Sequence, residues 1–257
     1  MGLFSSKPTA NAQKIIDFLG CECEYFPAGK PLQLIRSAYE DAYARMEMGG
    51  YTPVIVVADD LHTDWIESIW DRILHGESPE VFRQRLLKED VPDAGKWFTE
   101  RLNNLKEESG EYWEQITSEN GEIGIRLDRL NGFVNSSTNK SEELILAKIP
   151  TDKPWEIFAW LPFGGWNECP DYSVMIAVAK YWYGKYHAVP AVMTHDVLEF
   201  TAFPVKDRSA AIGLALEQYA FCTDIVDQGV QTIEVLADSL TKSSVWSFWW
   251  HGNSIYY

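Results

Sequence analysis

The sequence predicts an α/β protein with a mixed, mostly parallel sheet flanked by helices, and three stretches carry that expectation. Residues 52–58, TPVIVVA, are a short, continuous apolar run rich in β-branched side chains, the pattern of a strand buried on both faces. Residues 21–48 supply a short alternating segment and then a helix leading into that strand, which makes a β-α-β unit. Residues 155–200 place an apolar strand, a double-glycine loop, an apolar helix and a second strand in one stretch.

Taken in order, residues 1–12 form a small, polar lead-in. Cys21–Phe26 alternates Cys and Glu before Tyr-Phe and reads as a strand with one wet face. Pro31 opens a helix that runs to Met48 and closes at Gly49-Gly50. Beyond the buried strand, helices are predicted over 62–74, from an N-cap at Ser78 with Pro79 in the first turn, and over 93–106. Residues 107–141 are rich in Glu, Asn, Gly and Ser, as suits a surface excursion. The chain therefore divides into an N-terminal β-α-β plus helical region (1–120), a boundary or surface excursion (121–141) and a C-terminal α/β module (142–257).

Within that module Glu143–Ile149 and Trp155–Leu161 read as a hairpin turned by the Pro150–Pro154 segment. A helix follows from a cap at Ser209 to Asp227, stopped by Gly229, and a second runs from Thr232 to Leu240. The ending Val245–Trp250 puts Trp246, Phe248 and Trp250 on one side by alternation, which predicts a strand that adds to the sheet and buries that row. A shift of 137 residues lays Pro53 on Pro190, Ala42 on Ala179 and Asp59 on Asp196, a faint internal echo.

Charge narrows the partners. Lys plus Arg number 22 against 38 Asp plus Glu, a net charge of -16. Such a surface repels phosphate backbones and anionic bilayers, so no nucleic-acid or membrane partner is expected, and a protein partner would be a basic one. Four cysteines without CxxC spacing, and no secretory signal at the start, suit a reducing cytoplasm. The sequence holds neither a cofactor signature nor a recognised metal-ligand spacing.

Candidate chemistry gathers at the connections of residues 155–200. The loop Gly164-Gly165-Trp166-Asn167-Glu168-Cys169 leads into a helix, where backbone N–H groups of Gly164, Gly165 and Asn167 are candidates to hold an anion. Cys169, near a helix N-terminus, is a candidate nucleophile and His195 its candidate base. His195 and Asp196 interrupt an otherwise apolar strand, as Asp59 and Asp60 end the earlier one, and the carboxyl ends of parallel strands are where open α/β sheets bind ligands. Glu168 and Glu217 are the candidate carboxylates, Glu217 standing with Asp224 and Asp227 at helical spacing.

The runs LPFGGWNECP, AVPAVMTHDVLEF, ALEQYAFCTDIVDQGVQTIEVLADSL and SVWSFWW resemble the bacterial family called domain of unknown function 4253, over residues 149–257. The resemblance implies a bacterial, cytoplasmic protein and carries no activity. Two functional readings follow from the residues. The first is an acidic protein that binds another protein, in an immunity-like or adaptor role. The second is a small-molecule enzyme or ligand-binding protein with a cleft near Glu168, Cys169, His195 and Glu217.

Overall fold

The computed structural model describes residues 7–73, 77–118 and 123–250, the side chains of 65 and 69–73 excepted. Helix α1 (Ala10–Leu19) starts at a Thr9 cap and buries Ile15, Phe18 and Leu19. Strand β1 (Glu22–Phe26) follows, then α2 (Leu32–Ala44) and the single turn α3 (Met46–Gly49), which ends at Gly50 in the left-handed region. Strand β2 (Thr52–Val57) is buried at every position, as a run without alternation requires. Helices α4 (Asp60–Ile73), α5 (Pro79–Leu86), α6 (Ala94–Ser109) and α7 (Glu111–Ile116) come next. Ser78 and Asp93 cap α5 and α6 through their side chains, accepting from Val81 N–H and Lys96 N–H.

The short strands β3 (Val134–Asn135) and β4 (Lys140–Ser141) pair with each other before β5 (Leu144–Ile149). Then come α8 (Ile157–Trp160), α9 (Tyr172–Tyr186), β6 (Val189–Met193), β7 (Val197–Thr201), α10 (Arg208–Phe221), α11 (Ile233–Leu240) and β8 (Val245–Trp249). A π-helical turn, Ile225–Val230, separates α10 from α11.

These elements form two compact units, neither of them continuous in sequence. The first comprises Met1–Lys88, Leu130–Leu161 and Ala191–His195, and the second Glu89–Arg129, Pro162–Pro190 and Asp196–Tyr257. In the first unit the strands run in the order β1-β5-β2-β6. Strand β5 is antiparallel to both β1 and β2, and β2 is parallel to β6 with Ile55 opposite Val192 and Val56 opposite Met193. That register equals the 137-residue offset of the sequence echo. In the second unit β7 and β8 pair antiparallel, Phe200 opposite Trp246 and Leu198 opposite Phe248.

Four expectations need correction. The sheet is mixed but not mostly parallel: three of the described long-strand pairings are antiparallel and one is parallel. The β-α-β unit of β1, α2 and β2 exists, but β5 inserts between its two strands in the opposite direction, a long-range choice that no local pattern announces. Residues 155–161 are helical rather than a strand, since Pro154 begins a 3-10 turn that runs into α8 and buries Ile157, Phe158 and Ala159 together. Thr151 stabilises that entry, its hydroxyl bonding Glu156 at 2.7 Å and accepting from Lys153 N–H at 3.1 Å. Finally, α10 is capped by Asp207 and ends at Phe221, six residues before the predicted stop.

The core of the second unit is aromatic and centres on Trp182 of α9, which is wholly buried. Its indole stacks between Phe98 at 5.8 Å and Phe248 at 5.6 Å and meets Phe200, Phe221 and Trp246 edge-on. The indole N–H donates to Glu217 at 3.0 Å. Trp246, Phe248 and Trp250 are all buried on one side of β8, as the alternation of the tail predicts. Replacing Phe248 with Ala is expected to cost about 3–5 kcal/mol, measured by urea denaturation. A loss below about 1 kcal/mol would mean that the tail is not part of this core.

Candidate functional site

The parallel pair β2–β6 delivers two chemically active side chains to its carboxyl end. Asp59 stands just beyond β2 and serves as the N-cap of α4. Its Oδ1 accepts from the His62 N–H at 2.6 Å, and its carbonyl accepts from the Thr63 N–H at 3.1 Å and the Thr63 hydroxyl at 2.9 Å. The other carboxylate oxygen, Oδ2, lies 2.9 Å from Nδ1 of His195, two residues beyond β6. A carboxylate can only accept, so in the neutral ring Nδ1 carries the proton and Nε2 is the basic atom. Side-chain exposure is 36% for His195 and 30% for Asp59, so the pair is neither sealed in the core nor loose on the surface.

The electrostatics of this corner favour an ionised Asp59. Burial pushes its carboxyl up, but the bonds from His195 and from the His62 N–H outweigh burial and hold the group below its ordinary value. His62 is the buried companion. Burial drives its imidazole down to about 4, with Asp59 pulling it part of the way back, so His62 is neutral at pH 7. All of these residues belong to the first unit.

The other candidates lie in the second unit, on separate sets of partners. Glu168 is largely exposed and ion-paired with Arg101 of α6. Cys169 is buried, and burial, reinforced by Cys222, raises its thiol well above the ordinary cysteine range, which leaves it without the thiolate character a nucleophile needs. Glu217 accepts from the Tyr181 hydroxyl at 2.8 Å, the Trp182 indole at 3.0 Å and Lys185 at 3.4 Å, and so ties α10 to α9. Asp224 accepts from Gln228 at 2.8 Å and Asp227 from the Tyr112 hydroxyl at 2.9 Å, so the three carboxylates do not share one ligand. They also leave a common helical face, because α10 ends before Asp224. Among the described residues, no group of three or more His, Cys, Asp or Glu side chains is placed to hold a metal ion.

The glycine loop closes on itself. At Gly164, φ is 97° and a Cβ would fall 1.8 Å from the Pro170 carbonyl oxygen, so only glycine permits this turn. The Gly165 N–H donates to the carbonyls of Cys169 and Pro170 at 3.2 and 3.1 Å, and Asn167 also sits in the left-handed region. Asp171 caps α9, its Oδ1 accepting from the N–H groups of Ser173 and Val174. The Gly165 amide and the start of α9 are thus engaged within the loop. Asp196 accepts the Trp250 N–H at its carbonyl, 3.1 Å away.

In the sequence His195 is visible as a polar interruption, but no local pattern joins it to Asp59 or marks His62. One signal was present: under the 137-residue offset Asp59 falls on Asp196, one position from its actual partner.

Residues 145–251 match the family model described as Domain of unknown function (DUF4253). No curated protein and no solved structure matches the chain. The matched stretch takes in His195 and Glu217 and leaves out Asp59 and His62. Among the described residues, no helix is long and apolar enough to cross a membrane.

The buried histidine has a measurable consequence. Its folded value, about 4, lies below the ordinary 6.5, so unfolding takes up a proton between those two pH values and stability falls as pH falls through that window. Between pH 7 and pH 4.5 the loss attributable to His62 is on the order of 2–3 kcal/mol. Urea denaturation of the wild type and of His62→Leu at both pH values is expected to show a slope smaller in the variant by about that amount. Equal pH slopes would contradict the assignment.

Proposed function

We propose that the protein binds a small molecule at the carboxyl end of the β2–β6 pair and that His195, oriented by Asp59, transfers a proton to or from it. The observation that carries this reading is the 2.9 Å contact between Asp59 Oδ2 and His195 Nδ1, made between the ends of adjacent parallel strands. Ligands in sheets with parallel strands bind outside the strands' carboxyl ends. An imidazole titrates near neutral pH, and a carboxylate on Nδ1 fixes the tautomer whose Nε2 accepts a proton. His195 is the candidate catalytic residue and Asp59 its positioning residue. The reading keeps His195 from the predicted cleft and replaces Glu168, Cys169 and Glu217 with Asp59.

A thermal-shift screen of the intact protein against a metabolite collection, followed by turnover assays on the hits, tests this. At least one compound is expected to raise the melting temperature of the wild type and to lose that effect in His195→Ala. Turnover is expected to fall about 100-fold or more in His195→Ala, with Asp59→Asn altering the pH profile as well as the rate. A hit set indifferent to both substitutions, or an empty one, would contradict the proposal.

A second reading, association with a basic protein partner, is favoured by the net charge of -16. Captured partners are expected to carry a basic patch and to associate more slowly as salt rises. Capture that is insensitive to salt would count against it.

A further inference from the structure

Two of the four cysteines stand together at the edge of the first unit's sheet, and the Asp59–His195 site makes no use of them. Gly20 closes α1 in the left-handed region, its N–H donating to the Ile16 carbonyl, and turns the chain into the edge strand β1. Side chains alternate along a strand, and in β1 Glu22 and Glu24 are exposed while Cys23 and Tyr25 are half-buried. Cys21, just before the strand, is also half-buried, and a hydrogen bond joins its side chain to that of Cys23. The pair is therefore in mutual contact and open to a small reagent. Cys169 and Cys222, by contrast, are buried.

A cation is held beside them. Arg83 of α5 donates to the Phe18 carbonyl at the end of α1, and its guanidinium lies over the rings of Phe18 and Trp160, 5.9 and 5.7 Å from their centres. A Cβ placed on Gly20 would fall 3.9 Å from Arg83 Nη1, so the guanidinium sits against the residue that precedes Cys21. The two thiols consequently differ. The bond from Cys23 holds the Cys21 thiol below its ordinary value, against burial and with help from Arg83. The same bond, together with burial, pushes the Cys23 thiol up. Cys21 is thus the readier thiolate, and Cys23 keeps its proton. Redox-sensing cysteines combine these features: accessibility, thiolate character and a resolving cysteine alongside.

We propose that Cys21 and Cys23 form a redox-active dithiol that reduces a hydroperoxide and closes to a disulfide. The Cys21 sulfur attacks the peroxide, an S–O bond forms as the O–O bond breaks, and the departing oxygen takes a proton from solvent to leave as an alcohol, or as water from hydrogen peroxide. Cys23 then attacks the Cys21 sulfenic acid. The S–S bond forms as the S–O bond breaks, and the Cys23 proton leaves with the hydroxyl as water. Two thiols are oxidised and one hydroperoxide is reduced by two electrons. Two residues of strand span about 6–7 Å, near the upper end of the Cα separation that a disulfide bridges, which favours a bridge that an external dithiol reopens.

The test uses the full chain, reduced and freed of reductant, and hydrogen peroxide under conditions where glutathione stays reduced. Thiol titration of the unfolded product is expected to fall from four to two. The intact mass should drop by two hydrogens, peptide mapping should place the bridge between Cys21 and Cys23, and dithiothreitol should restore all four thiols. In Cys23→Ser the sulfenic acid has no thiol to meet, so dimedone is expected to label Cys21. In Cys21→Ser, labelling of Cys23 should be slower by about tenfold or more. Both substitutions conserve size at half-buried positions and should keep the wild-type circular dichroism. His195→Ala should oxidise at the wild-type rate, which separates this proposal from the function proposed for the strand ends. Four thiols retained after peroxide, loss confined to Cys169 and Cys222, disulfides formed only between chains, or equal labelling of the two serine variants would each overturn it.

Discussion

The parallel register of β2 with β6 is the constraint on which the candidate chemistry depends. Strand β2 is a run of buried, largely β-branched residues, and β6 is likewise buried at every position. Once Ile55 is set against Val192 and Val56 against Met193, the chains leave the sheet side by side and Asp59 meets His195. A shift of one residue would rotate every side chain to the opposite face and move the pair apart. The start of α4 then completes the arrangement, because the helix N-terminus takes one carboxylate oxygen of Asp59 and leaves the other for the imidazole.

The second unit is organised by different physics. Its centre is a cluster of rings around Trp182, and Glu217 satisfies the indole N–H and the Tyr181 hydroxyl. Those two bonds account for an acidic residue beside an aromatic core.

Local signals were the legible part of the fold. The buried run of β2, the Ser78-Pro79 and Asp93 helix starts and the one-sided aromatic tail each state their structure within a few residues, and each was found where expected. Long-range choices were not legible. Nothing in Leu144–Ile149 says that it will run antiparallel between β1 and β2, and the short apolar run at 155–161 suits a strand as well as the helical turns it forms. At the site, His195 was visible as a polar break in an apolar strand, whereas its partner depends on the β2–β6 pairing.

The account rests most directly on Asp59 fixing the tautomer of His195, and nitrogen-15 NMR of the imidazole nitrogens measures that. In the wild type above the titration of the ring, Nδ1 is expected to show the shift of a protonated nitrogen and Nε2 that of a bare one. In Asp59→Asn, where the amide can donate to Nδ1, the two assignments are expected to exchange or mix. A wild-type ring with its proton on Nε2, or one indifferent to Asp59→Asn, would contradict the pairing and the function drawn from it.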